Sequence, residues 1–386
     1  MWGMRLFGRF ALSSCLKCDT RMILNRISVL NYRNLAQVEL EFSPKVNCLV
    51  GGNGQGKTNL LDAIHFLSLC KSMSGAPDAA NIRHDEECFV LQGMYTHENG
   101  ECEEVTCGLQ RGQRKRLRRN RKEYRKLSEH IGLLPIVVVS PSDTGLVTGG
   151  SEERRHFMDM VIAQYNREYL ESLVRYNKAL QQRGTLLKQP QEPDAELMEL
   201  WEGVMAAEGE RIYQARRQYV EEFTPIFASL YADIAGSTEQ VGLCYKSHGE
   251  RGDLAAQLRQ SREKDRIVGY SLHGVHRDDL EFTLGGFALR REGSQGQLKT
   301  YLTSLKLAQF GFLRHTGSHT LPLLLLDDVF DKLDADRVGR IVKLVGGDRF
   351  GQIFITHTSR SQLDGILQAY GGDYKVFAVE EGRIMP

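Results

Sequence analysis

No stretch of the sequence approaches the roughly 18 consecutive apolar residues that a membrane helix needs, so no membrane span is expected. Internal repeats and low-complexity tracts are missing too, which removes solenoids and compositionally biased disordered chains. Cysteine is sparse for a stapled protein, with eight in 386 residues. Cys15-x2-Cys18 is the only close pair and no second pair stands at metal spacing. That argues against a disulfide framework and a four-ligand zinc site, and for reduced cytosolic thiols. The chain also lacks an overall charge surplus, with 50 Lys and Arg against 49 Asp and Glu. The balance hides a local excess. Residues 111–126 carry ten basic residues against one acid, Glu123, leaving 40 basic against 48 acidic residues elsewhere. A polyanion partner should therefore meet a patch, not the whole surface.

What is present is the composition of a soluble globular protein, 41% hydrophobic and 26% charged, long enough for one large or two to three ordinary domains. Residues 1–21 read as an N-terminal extension ahead of Met22. Strands are expected over 23–29, 38–42 and 45–50, then an apolar helix over 59–69. Further strands follow over 88–95, 104–110, 115–119 and 136–140, where Pro141 closes the run. This first lobe spans 22–150. Past it, Phe157, Val161, Tyr165, Tyr169, Leu173, Tyr176 and Leu180 recur at helical spacing. They predict one helix over about 152–187, capped by Ser151 and on the order of 50 Å long. Pro190 and Pro193 break it, and Asp194 can cap a second helix toward Tyr219. Residues 151–266 thus read as an all-α helical arm, too short for an extended coiled coil. From Ile267 strands return, and the second lobe spans 267–386. The expected class is an α/β P-loop fold, a mixed sheet flanked by helices and interrupted by the arm.

The run Gly51, Gly52, Asn53, Gly54, Gln55, Gly56, Lys57, Thr58 matches G-x-x-x-x-G-K-[ST], and it lies between a strand and a helix that opens with Asn59. Glycines let backbone N–H groups close around phosphate oxygens, Lys57 reaches the β and γ phosphates, and Thr58 offers its hydroxyl to Mg²⁺. ATP and Mg²⁺ are the cofactors this pattern calls for. The apolar run 321–326 reads as a buried parallel strand that delivers Asp327 as the metal carboxylate. Asp328 follows, where a second carboxylate can orient or deprotonate the attacking water. Ser294, Gln295, Gly296 and Gln297 precede a helix and form another anion site. In the basic segment, Arg114, Lys115, Arg116, Arg118, Arg119, Arg121 and Lys122 suit a hairpin that grips phosphates without base readout. Such binding should be sequence-independent and salt-sensitive.

These motifs in this order resemble the ABC-type ATPases, and more narrowly the RecF family of recombination and repair. The resemblance runs along nearly the whole chain from Met22. It is carried by Asn31-Tyr-Arg-Asn-Leu35, the P-loop, Lys126-Leu-Ser-Glu-His-Ile-Gly132 and Ser140-Pro-Ser-Asp143. Arg154-Arg155-x-Phe157-x-Asp159, His273-Gly-Val-His-Arg-Asp-Asp279, Ser294-Gln-Gly-Gln-Leu-Lys299 and Asp327-Asp-Val-Phe330 complete it. It implies a two-lobed ATPase head that dimerises head-to-tail around two ATP molecules, with Ser294 of one copy on the γ-phosphate held by the other. It further implies His357 as a γ-phosphate sensor and Asp334 on a loop crossing between copies. Also implied are weak DNA-dependent ATP hydrolysis, double-stranded DNA next to single-stranded gaps as ligand, RecR and RecO proteins as partners, RecA as an indirect one, and a cytoplasmic location.

Asp328 stands where ABC transporters have Glu, Val275 where many relatives have Pro, and Asn120-Arg121 where a hairpin tip favours Asn-Gly. No glutamine loop is identifiable between Lys71 and Ser140. The rival readings are a transporter nucleotide subunit, which wants that Glu, and a DNA clamp in which hydrolysis only resets the state. A long-armed chromosome ATPase would need hundreds of heptad residues that are absent.

Overall fold

Period-two burial builds the first layer. The strands β1 (Met22–Tyr32), β2 (Leu35–Glu41), β4 (Cys88–His97), β5 (Cys102–Gln110), β6 (Arg116–Arg119) and β7 (Lys122–Glu123) form an antiparallel sheet in the order β2-β1-β4-β5-β6-β7. Ile27, Val29, Leu91, Val105, Cys107 and Leu117 point inward and are buried, while Leu30 and Val90 face outward. The structure is a computed structural model that describes residues 21–236, 239–316, 320–330, 335–345 and 350–385. The extension at 1–21 falls almost wholly outside the described residues, as do Cys15, Cys18 and Asp334.

The second sheet has the order β15-β14-β3-β13-β12-β8. It comprises β3 (Val46–Val50), β8 (Ile136–Val139), β12 (Leu323–Leu326), β13 (Ile353–His357), β14 (Tyr374–Glu380) and β15 (Arg383–Met385). All neighbours in it are parallel except the β14–β15 hairpin. Both faces are covered, which is why its strands read as unbroken apolar runs. In β12, Leu323 and Leu325 pack with the antiparallel sheet's core, and Leu324 and Leu326 pack into a second core under the helices. Helix α1 (Lys57–Leu69) lies between the two sheets and buries every position from Leu60 to Leu69.

The second core joins the far face of that sheet to a helical layer. This layer contains α2 (Gly145–Thr148), α3 (Ser151–Tyr165), α4 (Arg167–Leu187), α5 (Ala195–Ala235), α6 (Leu254–Val268), α7 (Leu289–Glu292), α8 (Gln295–Thr316), α9 (Ala335–Val345) and α10 (Arg360–Tyr370). A three-stranded sheet, β9 (Val241–Lys246), β10 (Asp279–Leu284) and β11 (Phe287–Ala288), completes it.

The helical segment differs from expectation in three ways. The single helix over 152–187 is two helices, because Asn166 breaks it at φ −121° and caps α4 by accepting from the Tyr169 N–H at 2.9 Å. Ser151 is not a cap. Gly150 takes that position, and the Ser151 hydroxyl accepts from Arg155 at 2.7 Å. Residues 151–266 are not all helical either, since β9 falls inside them and pairs with β10, and α6 runs past Ile267 to Val268. Asp194 does cap α5, accepting from the N–H groups of Glu196 and Leu197, and that helix continues well beyond Tyr219 to Ala235. Buried ions rivet the segment together. The guanidinium of Arg183, 0% exposed, bonds Glu202 on α5 at 3.0 Å and Asp265 on α6 at 2.7 Å.

Candidate nucleotide site and basic hairpin

The P-loop is shaped by contacts that tolerate only glycine. A Cβ at Gly51 would sit 2.2 Å from the Val379 carbonyl oxygen of β14. Gly54 and Gly56 have φ of +78° and +118°, which L side chains adopt at a cost. Gly56 caps α1 with no side chain and the first turn holds no acid, so the helix's first N–H groups and its positive end are left to an anion. Lys57 is only 4% exposed, and its ammonium donates to the Gly51 and Gly52 carbonyls at 2.7 and 2.9 Å, which holds it inside the loop.

Sheet order brings the other half of the site to this loop. β13 separates β3 from β12, and across it the Thr58 hydroxyl donates to the Asp327 carboxylate at 2.9 and 3.1 Å. A hydroxyl and one carboxylate fit a hard divalent ion that draws its remaining oxygens from phosphates and water, as Mg²⁺ does. Among the described residues no group of three His, Cys, Asp or Glu could hold a metal alone. Burial pushes the Asp327 carboxyl up, against hydrogen bonds from Thr356 and Thr58 that favour its ionised form. Asp328 adopts φ +45°, a strained setting for a residue with a side chain. Its N–H donates to the Thr356 hydroxyl at 2.9 Å, and that hydroxyl donates to Asp327 at 2.8 Å. His357 is buried at the end of β13, and its Nδ1 accepts from the Ser359 N–H at 2.9 Å, so the proton belongs on Nε2. Register sets Val139 opposite Leu326. The residue that follows β8 beside Asp327 is therefore Ser140, not a glutamine.

Ser294 to Gln297 form a capping box at the start of α8. The Ser294 hydroxyl accepts from the Gln297 N–H at 3.2 Å, and the Gln297 side chain accepts from the Ser294 N–H at 2.9 Å. Ser294 and Gln295 are exposed, and the Gln297 amide also donates to Glu239 at 2.6 Å.

In the basic segment, folding sorts residues that look alike in sequence. β6 buries Leu117 and turns Arg116 and Arg118 outward, where with Arg114 they flank a groove of about 290 Å³ floored by Val90 and Gly108. Asn120 and Arg121, at φ +48° and +66°, make the two-residue tip and leave Arg121 and Lys122 exposed. Two expected phosphate contacts are corrected. Lys115 points inward, 14% exposed, onto Asp78 at 2.8 Å and the Cys70 carbonyl. Arg119 is engaged by Glu103, whose carboxyl it and His97 hold below the usual range against the opposing effect of burial.

Residues 23–382 match the model of the RecF/RecN/SMC N-terminal domain. A protein of Phocaeicola vulgatus named "DNA replication and repair protein RecF" is 59% identical over 363 residues, covering 94% of this chain and 98% of that one. The chain belongs to the RecF family. Its Porphyromonas gingivalis relative of the same name is 51% identical over 364 residues, 94% of this chain and 100% of that protein. A solved structure described as the recombination mediator protein RecF-ATP in the RecFOR pathway superposes with a TM-score of 0.84 at 30% identity, covering 95% and 99% of the two chains. An Smc head domain from Pyrococcus furiosus, at TM-score 0.56, 17% identity and 94% and 95% coverage, shares the fold alone. The architecture is that of an ABC-type ATPase head, and no helix among the described residues is long and apolar enough to cross a membrane.

In this RecF-family chain, three supports of the site escaped sequence reading. The β14–β15 turn clamps the P-loop, with the Gly382 N–H on the Gln55 carbonyl at 2.8 Å. Asn34 bridges Asn59 at 2.7 Å, and Arg33 pairs with buried Asp62 of α1 at 3.0 Å. Finally, the His273–Asp279 motif serves structure. Asp278 is bonded to Arg216, Tyr245 and Ser247, and Asp279 to Arg154. The Asn31–Leu35 run and the His273–Asp279 motif stand out in the sequence, whereas nothing there marks the β14–β15 clamp.

Proposed function

We propose that this chain is an ATP-dependent DNA-binding ATPase of recombinational repair and replication restart. In this reading two copies close on duplex DNA near single-stranded gaps, and slow hydrolysis resets the clamp. The relatives named for DNA replication and repair, and the solved RecF with ATP, support the general role. One observation carries the gated mechanism. Thr58 and Asp327 meet beside the P-loop, whereas the Ser294 cap stands exposed on α8, bonded to its own Gln297 and not to that loop. A phosphate cradle and an exposed anion cap that shares no hydrogen bond with it suit a second copy, whose Ser294 seals the nucleotide held by the first.

Within such a site Lys57 neutralises the β and γ phosphates, and His357 offers its Nε2 proton to the γ-phosphate. Bound through Thr58 and Asp327, Mg²⁺ would neutralise developing phosphate charge. Asp328 would orient the attacking water from a strained backbone, with a carboxylate one methylene shorter than Glu, which suits slow turnover. Arg114, Arg116, Arg118, Arg121 and Lys122 supply sequence-independent phosphate contacts. RecR and RecO proteins would be the partners in placing RecA, in the cytoplasm.

Fluorescence anisotropy of a labelled gapped duplex, with and without Mg-ATP at two salt concentrations, tests the reading. Tight, salt-sensitive binding that requires ATP and is lost in Lys57→Ala is expected. Binding indifferent to ATP would reduce the protein to a passive phosphate patch and overturn the gated mechanism.

A further inference from the structure

We infer that Lys115 is a positioning residue that couples the nucleotide to DNA, by fastening the far end of the P-loop helix to the hairpin that carries Arg116 and Arg118. The inference rests on the ATP-gated reading above and adds to it the route between the two ligands. Helix α1 begins at Lys57, under the phosphates, and ends at Leu69, about 20 Å away at roughly 1.5 Å per residue. Its last turn holds no basic residue of its own, so its negative end is unanswered within the helix. Lys115 answers it. Its ammonium donates to the carbonyl of Cys70, the helix C-cap, pairs with Asp78 at 2.8 Å, and lies 5.1 Å from the centre of the Phe66 ring.

The next residue in the chain is Arg116, which faces the groove outside. A second tie comes from the other flank of the hairpin. His130 Nε2 donates to the Leu67 carbonyl at 2.7 Å, while its Nδ1 accepts from the Tyr124 hydroxyl at 3.1 Å. Tyr124 follows β7 directly, and its N–H bonds back to the Leu117 carbonyl of β6 at 3.0 Å. Between its ends α1 is close-packed by both sheets, so a shift at the phosphate end is passed along the rod and not absorbed. Both strands of the hairpin are thereby referenced to the carbonyls of one helix turn, and Lys115 is the contact made by the basic segment itself.

The test measures DNA affinity with and without Mg-ATP, and ATP affinity with and without gapped duplex, in wild type, Lys115→Met, Lys115→Arg and Arg116→Ala. Met keeps the apolar stem over Phe66 and removes the charge. Wild type should show ATP tightening DNA binding by about tenfold or more, and DNA tightening ATP binding by the same factor. In Lys115→Met both factors should fall below about threefold, while ATP affinity without DNA and DNA affinity without ATP stay within about twofold of wild type. Lys115→Arg should restore most of the coupling. Arg116→Ala should weaken DNA binding equally in both nucleotide states. Full coupling in Lys115→Met overturns the inference, and so does an equal loss with and without ATP, which would make Lys115 an ordinary phosphate contact. Wild type without any ATP effect overturns the gated reading and this inference with it.

Discussion

Arg121 holds a backbone conformation that suits glycine, at φ +66° on the second position of the hairpin tip. Replacing it by Gly relieves about 1–2 kcal/mol of left-handed strain against about 0.4–1 kcal/mol lost to a looser unfolded chain. Arg121→Gly should therefore gain roughly 0.5–1 kcal/mol, read as a higher urea midpoint at unchanged slope. Its DNA affinity should fall slightly, with a salt slope shallower by about one phosphate contact. An arginine kept at a strained tip makes sense if its charge is used outside. His65 presents the opposite balance. Burial pushes its imidazole down to about 4; Asp62 pulls the other way, and Lys306 and His156 depress it further. Its Nδ1 faces the Lys71 carbonyl at 2.9 Å. Between that value and the ordinary 6.5 the unfolded chain binds the extra proton. The stability from neutral His65 is thus complete above about pH 6.5 and is lost as pH falls toward 4, by about 2 kcal/mol at pH 5. Urea unfolding at pH 7 and pH 5 should show His65→Gln losing less stability on acidification than wild type. Equal losses would refute this role for His65.

Among the elements, the break at Asn166 carries a cost of its own. Its side chain caps α4 while its N–H completes α3 on the Ile162 carbonyl at 2.8 Å. Asn166→Ala should destabilise the helical segment by about 1 kcal/mol, and Asn166→Asp, which keeps the acceptor, should cost less, both read from thermal melts. The same element explains what the sequence can and cannot tell. Phe157 through Leu180 keep helical spacing straight across Asn166, because both helices turn an apolar face to one core, so periodicity cannot register the break. β9 escapes for a different reason. Its partner β10 lies more than thirty residues downstream, and its burial alternates weakly. The nucleotide motifs were legible because each is contiguous and its chemistry is fixed by residue type: glycines that must bend, a lysine, and a carboxylate ending an apolar run. The basic segment was legible only as a sum. Which cations face out is decided by Leu117 turning inward and by Phe66, Asp78 and Glu103 waiting below, and Phe66 and Asp78 reach the hairpin only through the fold.

In the molecule as a whole, the antiparallel sheet, α1, the mixed sheet and the helical layer stack in that order, and the site opens where α1 and the strand ends of the mixed sheet meet. The P-loop comes from the first lobe and Ser294 from the second, and the capping box that shapes Ser294 is closed by its own Gln297. If the two meet only across a dimer, the defects in Lys57→Ala and Ser294→Arg must complement. Any dimer that either variant forms alone has both sites broken and should neither hydrolyse ATP nor hold DNA through it. Mixed in equal amounts, about half the dimers pair one variant with the other. In each of these the P-loop of the Ser294→Arg copy faces the intact Ser294 of the Lys57→Ala copy. One whole site per mixed dimer restores about a quarter of the wild-type site density, so ATP turnover should recover to about that fraction. The recovery should rise with total protein concentration and vanish when either variant is omitted. A mixture as inactive as its parts would mean that Ser294 does not complete the site of a second copy, and the nucleotide would have to be sealed within one chain.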